Sequence, residues 1–111
     1  MIATRDLEWA AGFMEGEGCF HSRKASGMMD IQASQVQKWP LERMQALFGG
    51  TLYKNPKVTF WHWRLPGVAG AGLAMTLYPL MSPRRQEQIR FALERWKSHK
   101  ARVGKKYRQA A

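Results

Sequence analysis

The chain has 111 residues, with 18 Lys or Arg against 8 Asp or Glu and a formal net charge of +10. That length fits one domain, and a hydrophobic content of 45% with five Trp supports a packed core, which excludes a disordered basic tail. No apolar run approaches the roughly 20 residues of a spanning helix, and one Cys excludes an internal disulfide. The charge predicts a polyanionic partner; a membrane surface could also attract it, but because no apolar run is long enough to span a bilayer we expect no membrane partner. We expect an intracellular protein because a signal-peptide core is lacking.

The first predicted helix runs from about Leu7 to Glu17 and carries two glycines on one side, Gly12 and Gly16. Each glycine costs a helix about 1 kcal/mol relative to alanine, so a compensating interaction is expected. Close approach of a second helix would supply it, because two backbones can nearly touch where side chains are missing. Thr4 or Asp6 can cap the start of this helix.

Two carboxylates, Glu15 and Glu17, lie in the last turn of this helix, where the helix dipole disfavours anions. A bound cation would stabilise a carboxylate there and would also satisfy free carbonyl groups at the helix end, such as that of Gly16. Gly18 fits a C-terminal cap. The helix end is therefore a candidate divalent-cation site, and the plain alternative is a frayed, glycine-rich end.

Residue patterns and turn signals divide the rest of the chain into seven further elements. They are strands over Cys19–Ala25 and Met29–Ser34, a helix over Leu41–Phe48 begun by Pro40, strands over Thr51–Lys54 and Val58–Leu65, and helices over Val68–Met81 and Arg84–His99. Pro79 is expected to kink or end the penultimate helix. Residues 1–99 thus form one predicted α+β domain, and residues 100–111 a loose basic tail.

An antiparallel sheet with helices on one face leaves its other face free, and alternation assigns polar side chains to that free face. They are His21, Arg23, Gln32, Ser34, Lys54, His62 and Arg64, with Lys38 just after the second strand. Each alone is more often a solvated surface group, but their shared phase over three strands favours a DNA-binding surface. Arg suits guanine and Gln suits adenine, so we expect Arg23 and Gln32 to contact bases.

The segment Ala10–Gly18, followed by Cys19-Phe20, resembles the nine-residue LAGLIDADG motif in its AGF-x-x-GEG-x-F form. Ala10 stands where Leu is usual. Glu stands where Asp is commoner at both acidic positions, which keeps the charge and extends its reach by one methylene. The family comprises homing endonucleases, which cut both strands of a long DNA site, and related intron maturases. The resemblance covers about residues 5–98 and implies an αββαββα half-unit with a saddle-shaped sheet.

The resemblance also implies a site for metal-dependent phosphodiester hydrolysis. Glu17 falls at the penultimate acidic position and would bind Mg²⁺ or another divalent cation, with Gly16 beside it. Gln37 falls at the end of the second strand and would orient waters. Arg84 or Arg85, near the start of the last helix, would support the phosphate or the solvent network, and the sequence does not choose between them.

One motif provides one principal carboxylate per chain, whereas cutting a duplex needs two active centres. We therefore expect a homodimer through the motif helix, with Gly12 and Gly16 against their copies and Trp9 and Phe13 flanking them. Such a pair implies a roughly palindromic DNA site, attack across the minor groove and 3′ overhangs. Two alternatives remain: a catalytically inactive DNA-binding regulator or maturase, and a basic interaction protein with an accidental motif.

Overall fold

The computed structural model describes the backbone of residues 2–110 and the side chains of residues 2–99. Its helices are α1 (Thr4–Glu17), α2 (Trp39–Phe48), α3 (Gly67–Leu77) and α4 (Pro83–Ala110), and a 3₁₀ turn covers Tyr78–Leu80. Its strands are β1 (Gly18–Ser22), β2 (Met29–Gln35), β3 (Thr51–Tyr53) and β4 (Trp61–Pro66). The four strands form one antiparallel sheet in the order β1-β2-β4-β3. The predicted α+β class and element order are confirmed.

The helices pack on one face of this sheet, and alternation along the strands supplies the core. Ile31 and Ala33 of β2 and Trp63 of β4 are buried, together with Met14 of α1 and Ile89 of α4. A buried indole needs a hydrogen-bond acceptor, and Trp63 Nε1 donates to the Gly49 carbonyl oxygen at 2.8 Å. The alternate positions of β2 and β4, with Gln32, Ser34, His62 and Arg64, therefore lie on the face that the helices leave open, as the sequence predicts.

The turns between elements follow the glycine and proline signals. Gly49 and Gly50, with φ of 80° and 97°, end α2 in a backbone region that favours glycine. Pro79 lies in the 3₁₀ turn that follows α3, as expected of a residue that cannot continue a helix. Ser82 caps the start of α4, since its hydroxyl accepts a hydrogen bond from the Arg85 backbone N–H at 3.3 Å.

Several predicted boundaries are wrong. α1 begins at Thr4 instead of Leu7, and neither Thr4 nor Asp6 caps it, since Ala3 precedes the helix without a side-chain hydrogen bond. Asp6 is instead paired with Arg43 of α2, 2.9 Å away. Asp6 thus interacts with a residue distant in sequence instead of with the backbone N–H groups at the start of its own helix.

Other elements differ in length. β1 ends at Ser22 and β4 begins only at Trp61, while α3 ends at Leu77. The sequence ended the last helix at about His99, but helical backbone continues to Ala110. Side chains after His99 lie outside the described residues, so the predicted basic tail stays a prediction. Among the described helices, none combines the length and the apolar character needed to span a bilayer.

Candidate nucleic-acid interface and cation site

The motif helix delivers Glu17 to the start of the sheet without an intervening loop. Gly18 follows α1 directly and opens β1 in an extended conformation, with φ of −88° and ψ of 166°. A Cβ at Gly18 would lie 2.5 to 2.8 Å from Met14 atoms, so the tight junction requires glycine. Gly18 is thus the C-terminal cap residue, although it caps without a left-handed backbone. Glu17 itself is exposed.

The other motif carboxylate, Glu15, is fixed within the chain. The Ser82 backbone N–H donates to Glu15 Oε1 at 2.7 Å, and the Ser82 hydroxyl donates to Oε2 at 2.8 Å. The first of these bonds is the largest cause of a pKa of Glu15 below its ordinary value of 4.5, and burial opposes it. Glu15 therefore anchors the end of α1 to the start of α4, and Glu17 is the motif carboxylate left exposed.

The two candidate arginines have different environments. Arg85 is buried, and its Nε and Nη2 donate to the main-chain carbonyl oxygen of Glu15 at 3.1 and 3.0 Å, while Nη1 donates to Gln88 Oε1 at 2.8 Å. Arg85 thus satisfies a free carbonyl at the end of α1. Arg84 is exposed. The pair that the sequence could not separate consists of one buried anchor and one exposed cation.

A shallow groove of about 480 Å³ lies beside Glu17. It is lined by Glu8, Trp9, Gly12, Phe13, Glu17, Gln35, Trp39 and Pro40. Gln35 is the last residue of β2 and was given no role by the sequence, which ended that strand one residue earlier. Gln37 lies in the following loop, where its Oε1 accepts a hydrogen bond from Trp39 Nε1 at 3.0 Å.

The predicted contact face of α1 is open. Gly12 and Gly16 are exposed, and a Cβ added at either would meet nothing within 4 Å. Trp9 and Phe13 flank them as a stacked pair, with ring centroids 5.5 Å apart. No atom of the described residues therefore packs closely against these two glycines, and this face of α1 is open to a contact from outside the chain.

The free face of the sheet is organised around a residue without a predicted role, Asp30. Its carboxylate is only 1% exposed. Arg64 Nε donates to both carboxylate oxygens, at 2.9 and 3.1 Å, while Arg23 Nε and Gln32 Nε2 each donate to Oδ2 at 3.2 Å. His21 Nε2 lies 4.0 Å from the same oxygen. Four predicted DNA-binding residues thus meet at one carboxylate.

The remaining predicted DNA-binding residues form two smaller groups. Ser34 Oγ lies 3.0 Å from His62 Nδ1, and the His62 ring stacks on Tyr53 with centroids 5.0 Å apart. Lys38 and Lys54 are placed around the Trp61 ring, with their Nζ atoms 4.4 and 6.0 Å from its centroid. These lysines lie over an indole and not in the Asp30 cluster.

The described residues supply only part of a cation site. No three His, Cys, Asp or Glu side chains of residues 2–99 are grouped as a metal-binding set. Mg²⁺, however, commonly binds proteins through one or two carboxylates, with waters and substrate phosphates completing its shell. An exposed Glu17 beside main-chain carbonyl groups at a helix end fits that type of partial site.

No protein-family model and no curated protein matches this sequence, whereas solved structures match its fold. The homing endonuclease I-CvuI, in complex with its target, is 21% identical, with a TM-score of 0.67 over 83% of this chain and 68% of I-CvuI. The archaeal intron-encoded homing endonuclease I-Vdi141I, complexed with DNA, is 14% identical, with a TM-score of 0.63 over 91% of this chain and 83% of that one.

A third solved structure, the LAGLIDADG homing endonuclease I-SmaMI bound to cleaved DNA, is 15% identical, with a TM-score of 0.56 over 99% of this chain and 44% of I-SmaMI. At these identities the likeness establishes the fold. The chain has the fold of a LAGLIDADG homing endonuclease, as a single half-unit that spans less than half of I-SmaMI. The resemblance carried by Ala10–Gly18 is confirmed at that level.

Proposed function

We propose that this protein is a site-specific, metal-dependent DNA endonuclease that works as a homodimer inside the cell. The observation that carries the proposal is the placement of Glu17. This carboxylate is exposed at the end of the motif helix, beside the open glycine face and next to the sheet that bears the arginine cluster. The similar structures I-CvuI and I-Vdi141I are described as homing endonucleases complexed with a target or with DNA.

The homodimer follows from the number of carboxylates and from the open face of α1. Each chain has one exposed motif carboxylate, and two strands have to be cut. Gly12 and Gly16 would contact their own copies across a two-fold axis, with Trp9 and Phe13 at the edges of the contact. The two Glu17 side chains would then lie side by side near the axis, facing opposite strands across the minor groove of a roughly palindromic site.

In the proposed site, Glu17 and the Gly16 carbonyl would hold Mg²⁺ or another divalent cation. When bound, the cation supplies Lewis-acid stabilisation of the phosphate and an acidified water. Arg84 is exposed, and its charge already contributes to lowering the pKa of Glu15 at the end of the motif helix, so it is placed to stabilise charge on the scissile phosphate. Gln35 in the groove and Gln37, which accepts a hydrogen bond from the groove residue Trp39, are the amides that would orient water. Hydrolysis would leave 3′ overhangs.

The decisive experiment uses a plasmid library of randomised sites. Incubated with Mg²⁺, the wild-type protein should linearise only plasmids that carry related sequences, and chelation of the metal should stop cutting. Glu17→Gln should abolish cleavage and leave DNA binding intact or stronger, since a carboxylate that repels phosphate is removed. Cutting by this variant at the wild-type rate would remove Glu17 from the mechanism.

The same experiment addresses the second candidate function, a DNA-binding regulator or maturase that does not cut. Glu stands where Asp is commoner at both acidic positions of the motif, and this substitution favours the alternative. Selective binding of one sequence without cleavage at any metal concentration would support it. Equal binding to every duplex would instead indicate a basic interaction protein and contradict both candidates.

A further inference from the structure

We propose that Asp30 is a positioning residue for base recognition, which holds Arg23, Arg64 and Gln32 in the orientations in which they contact DNA. The inference rests on the proposed DNA-binding function and adds an acidic residue to a basic surface. Asp30 lies on β2, between β1 and β4, and its register partner on β1 is His21. One carboxylate therefore gathers side chains from the β1 side, from its own strand and from β4.

The arginine geometry carries the argument. Arg23 and Arg64 both bond to Asp30 through Nε, the nitrogen nearest the aliphatic stem. No group among the described residues accepts a hydrogen bond from the Nη1 or Nη2 atoms of either arginine. A guanidinium recognises guanine through two parallel donors directed at O6 and N7. Asp30 thus holds each guanidinium through Nε and leaves Nη1 and Nη2 available to donate to a base.

Asp30 also fixes the amide orientation of Gln32. A carboxylate accepts hydrogen bonds and donates none, so the Gln32 NH₂ group has to face Asp30, as it does at 3.2 Å. The Gln32 carbonyl oxygen is then the atom presented to the solvent side. That oxygen can accept a hydrogen bond from adenine N6 or cytosine N4. Asp30, two residues away, therefore determines that Gln32 presents an acceptor and not its NH₂ group on the open face.

The position of Asp30 is unfavourable for affinity as such. A buried carboxylate is expensive unless it is paired and hydrogen-bonded, and a negative charge on this face weakens attraction to every phosphate. Arg23 and Arg64 remain 39% and 27% exposed, so they are held without being removed from the surface. The benefit that offsets the charge is orientation, and orientation affects sequence preference and not general attraction.

The test is Asp30→Asn, which keeps the shape but removes the charge and turns one acceptor into a donor. Binding of the selected site and of singly substituted sites is measured by fluorescence anisotropy without metal. Preference at the positions contacted by the two arginines should fall roughly 5- to 150-fold, the range of one bidentate contact. Affinity for unrelated duplexes should rise at the same time.

Asp6→Asn is the matched control, since it also removes one carboxylate paired with an arginine, Arg43, and changes the net charge by the same amount. Asp6→Asn should raise the affinity for unrelated duplexes as much as Asp30→Asn does, and it should leave the sequence preference unchanged. The inference would be overturned if both variants lowered the sequence preference equally, or if Asp30→Asn left the preference unchanged. Far-ultraviolet circular dichroism and melting of each variant check that it is folded.

If Asp30→Asn does not fold because its NH₂ group faces the arginine N–H donors, Asp30→Ser is measured in its place. The hydroxyl can accept one of the bonds and introduces no opposing NH₂ group, so the same loss of preference is expected. Failure of the proposed function is a separate result. It would appear as a wild-type protein that binds every duplex alike, whereas failure of this inference requires a wild type that discriminates and Asp30 variants that discriminate equally well.

Discussion

The Arg85 guanidinium donates two hydrogen bonds, of 3.1 and 3.0 Å, to the main-chain carbonyl oxygen of Glu15. The two residues are 70 positions apart, and the contact joins the last turn of α1 to the first turn of α4. Glu17 lies two residues beyond this anchor. The direction in which the motif carboxylate leaves the helix is therefore coupled to the start of α4, and Arg85 can act on the site without touching substrate.

The first prediction separates Arg84 from Arg85. Arg85→Ala should lower the free energy of unfolding by about 1.5–3 kcal/mol, because it removes charged hydrogen bonds to a helix-end carbonyl group. Arg84→Ala should change stability by no more than about 0.5 kcal/mol. The Arg84 variant should nevertheless slow cleavage roughly hundredfold if the side chain stabilises charge on the phosphate. Urea unfolding and single-turnover cleavage measure the two effects, and a cleavage defect confined to Arg85→Ala would contradict the assignment.

The second prediction concerns pH and Glu15. The pKa of this carboxyl lies below its ordinary value of 4.5 in the folded protein, chiefly because the Ser82 N–H bonds to it. A lowered folded-state pKa contributes stability that is present above the unfolded pKa and is lost as the pH falls through the folded pKa. The melting temperature should therefore decrease on acidification below about pH 4.5. Glu15→Gln should be less stable at neutral pH and should lose part of this decrease. Parallel melting curves of variant and wild type against pH would contradict the role of Glu15.

The sequence predicted those features of the molecule that depend on local patterns. Alternation in β2 correctly assigned Gln32 and Ser34 to the face opposite the buried Ile31 and Ala33, and the motif correctly located Glu17 at a helix end. The role of Asp30 was missed because its main partner, Arg64, is 34 residues away and is brought to it only by the pairing of β2 with β4.

The same limit applies to the candidate catalytic residues. Arg84 and Arg85 are adjacent in sequence and equal in charge, and only the packing of α4 against Glu15 distinguishes them. For the glutamines, β2 extends to Gln35, which brings that residue into the groove beside Glu17, while Gln37 is hydrogen-bonded to Trp39.

One local signal could have identified Asp30. It is an acidic residue that alternates in register with Gln32 and Ser34, on a strand face that is otherwise basic or polar.

The third prediction tests the dimer. Gly16→Leu should separate the two copies, because a leucine cannot fit where two backbones approach closely, at a typical cost of about 1–3 kcal/mol per site. Within one chain the new side chain meets nothing within 4 Å of its Cβ, so the fold itself should be retained. Gly72→Leu is the control, as Gly72 is also an exposed helical glycine with free space around its Cβ. Light scattering with and without DNA measures the outcome, and a wild-type monomer on DNA would refute the symmetric pair.

The last prediction concerns the basic segment after His99. Truncation there removes Lys100, Arg102, Lys105, Lys106 and Arg108, which are five of the 18 basic residues. If these residues contact phosphates, their loss should weaken binding to all sequences alike and flatten the salt dependence by about 0.9 in log–log slope per contact. Arg23→Ala, in contrast, should change the slope by about one unit and relax the preference at one base position per half-site.

Selection from randomised duplexes distinguishes these two variants directly. The Arg23 side chain is held by Asp30 in a fixed geometry and can therefore discriminate between bases. A phosphate contact made by a long side chain does not depend on the DNA sequence. The truncated protein should therefore select the wild-type site with lower yield, and Arg23→Ala should select a degenerate one. If truncation changed the preferred sequence while Arg23→Ala left it intact, the open face of the sheet would not be the surface that recognises bases.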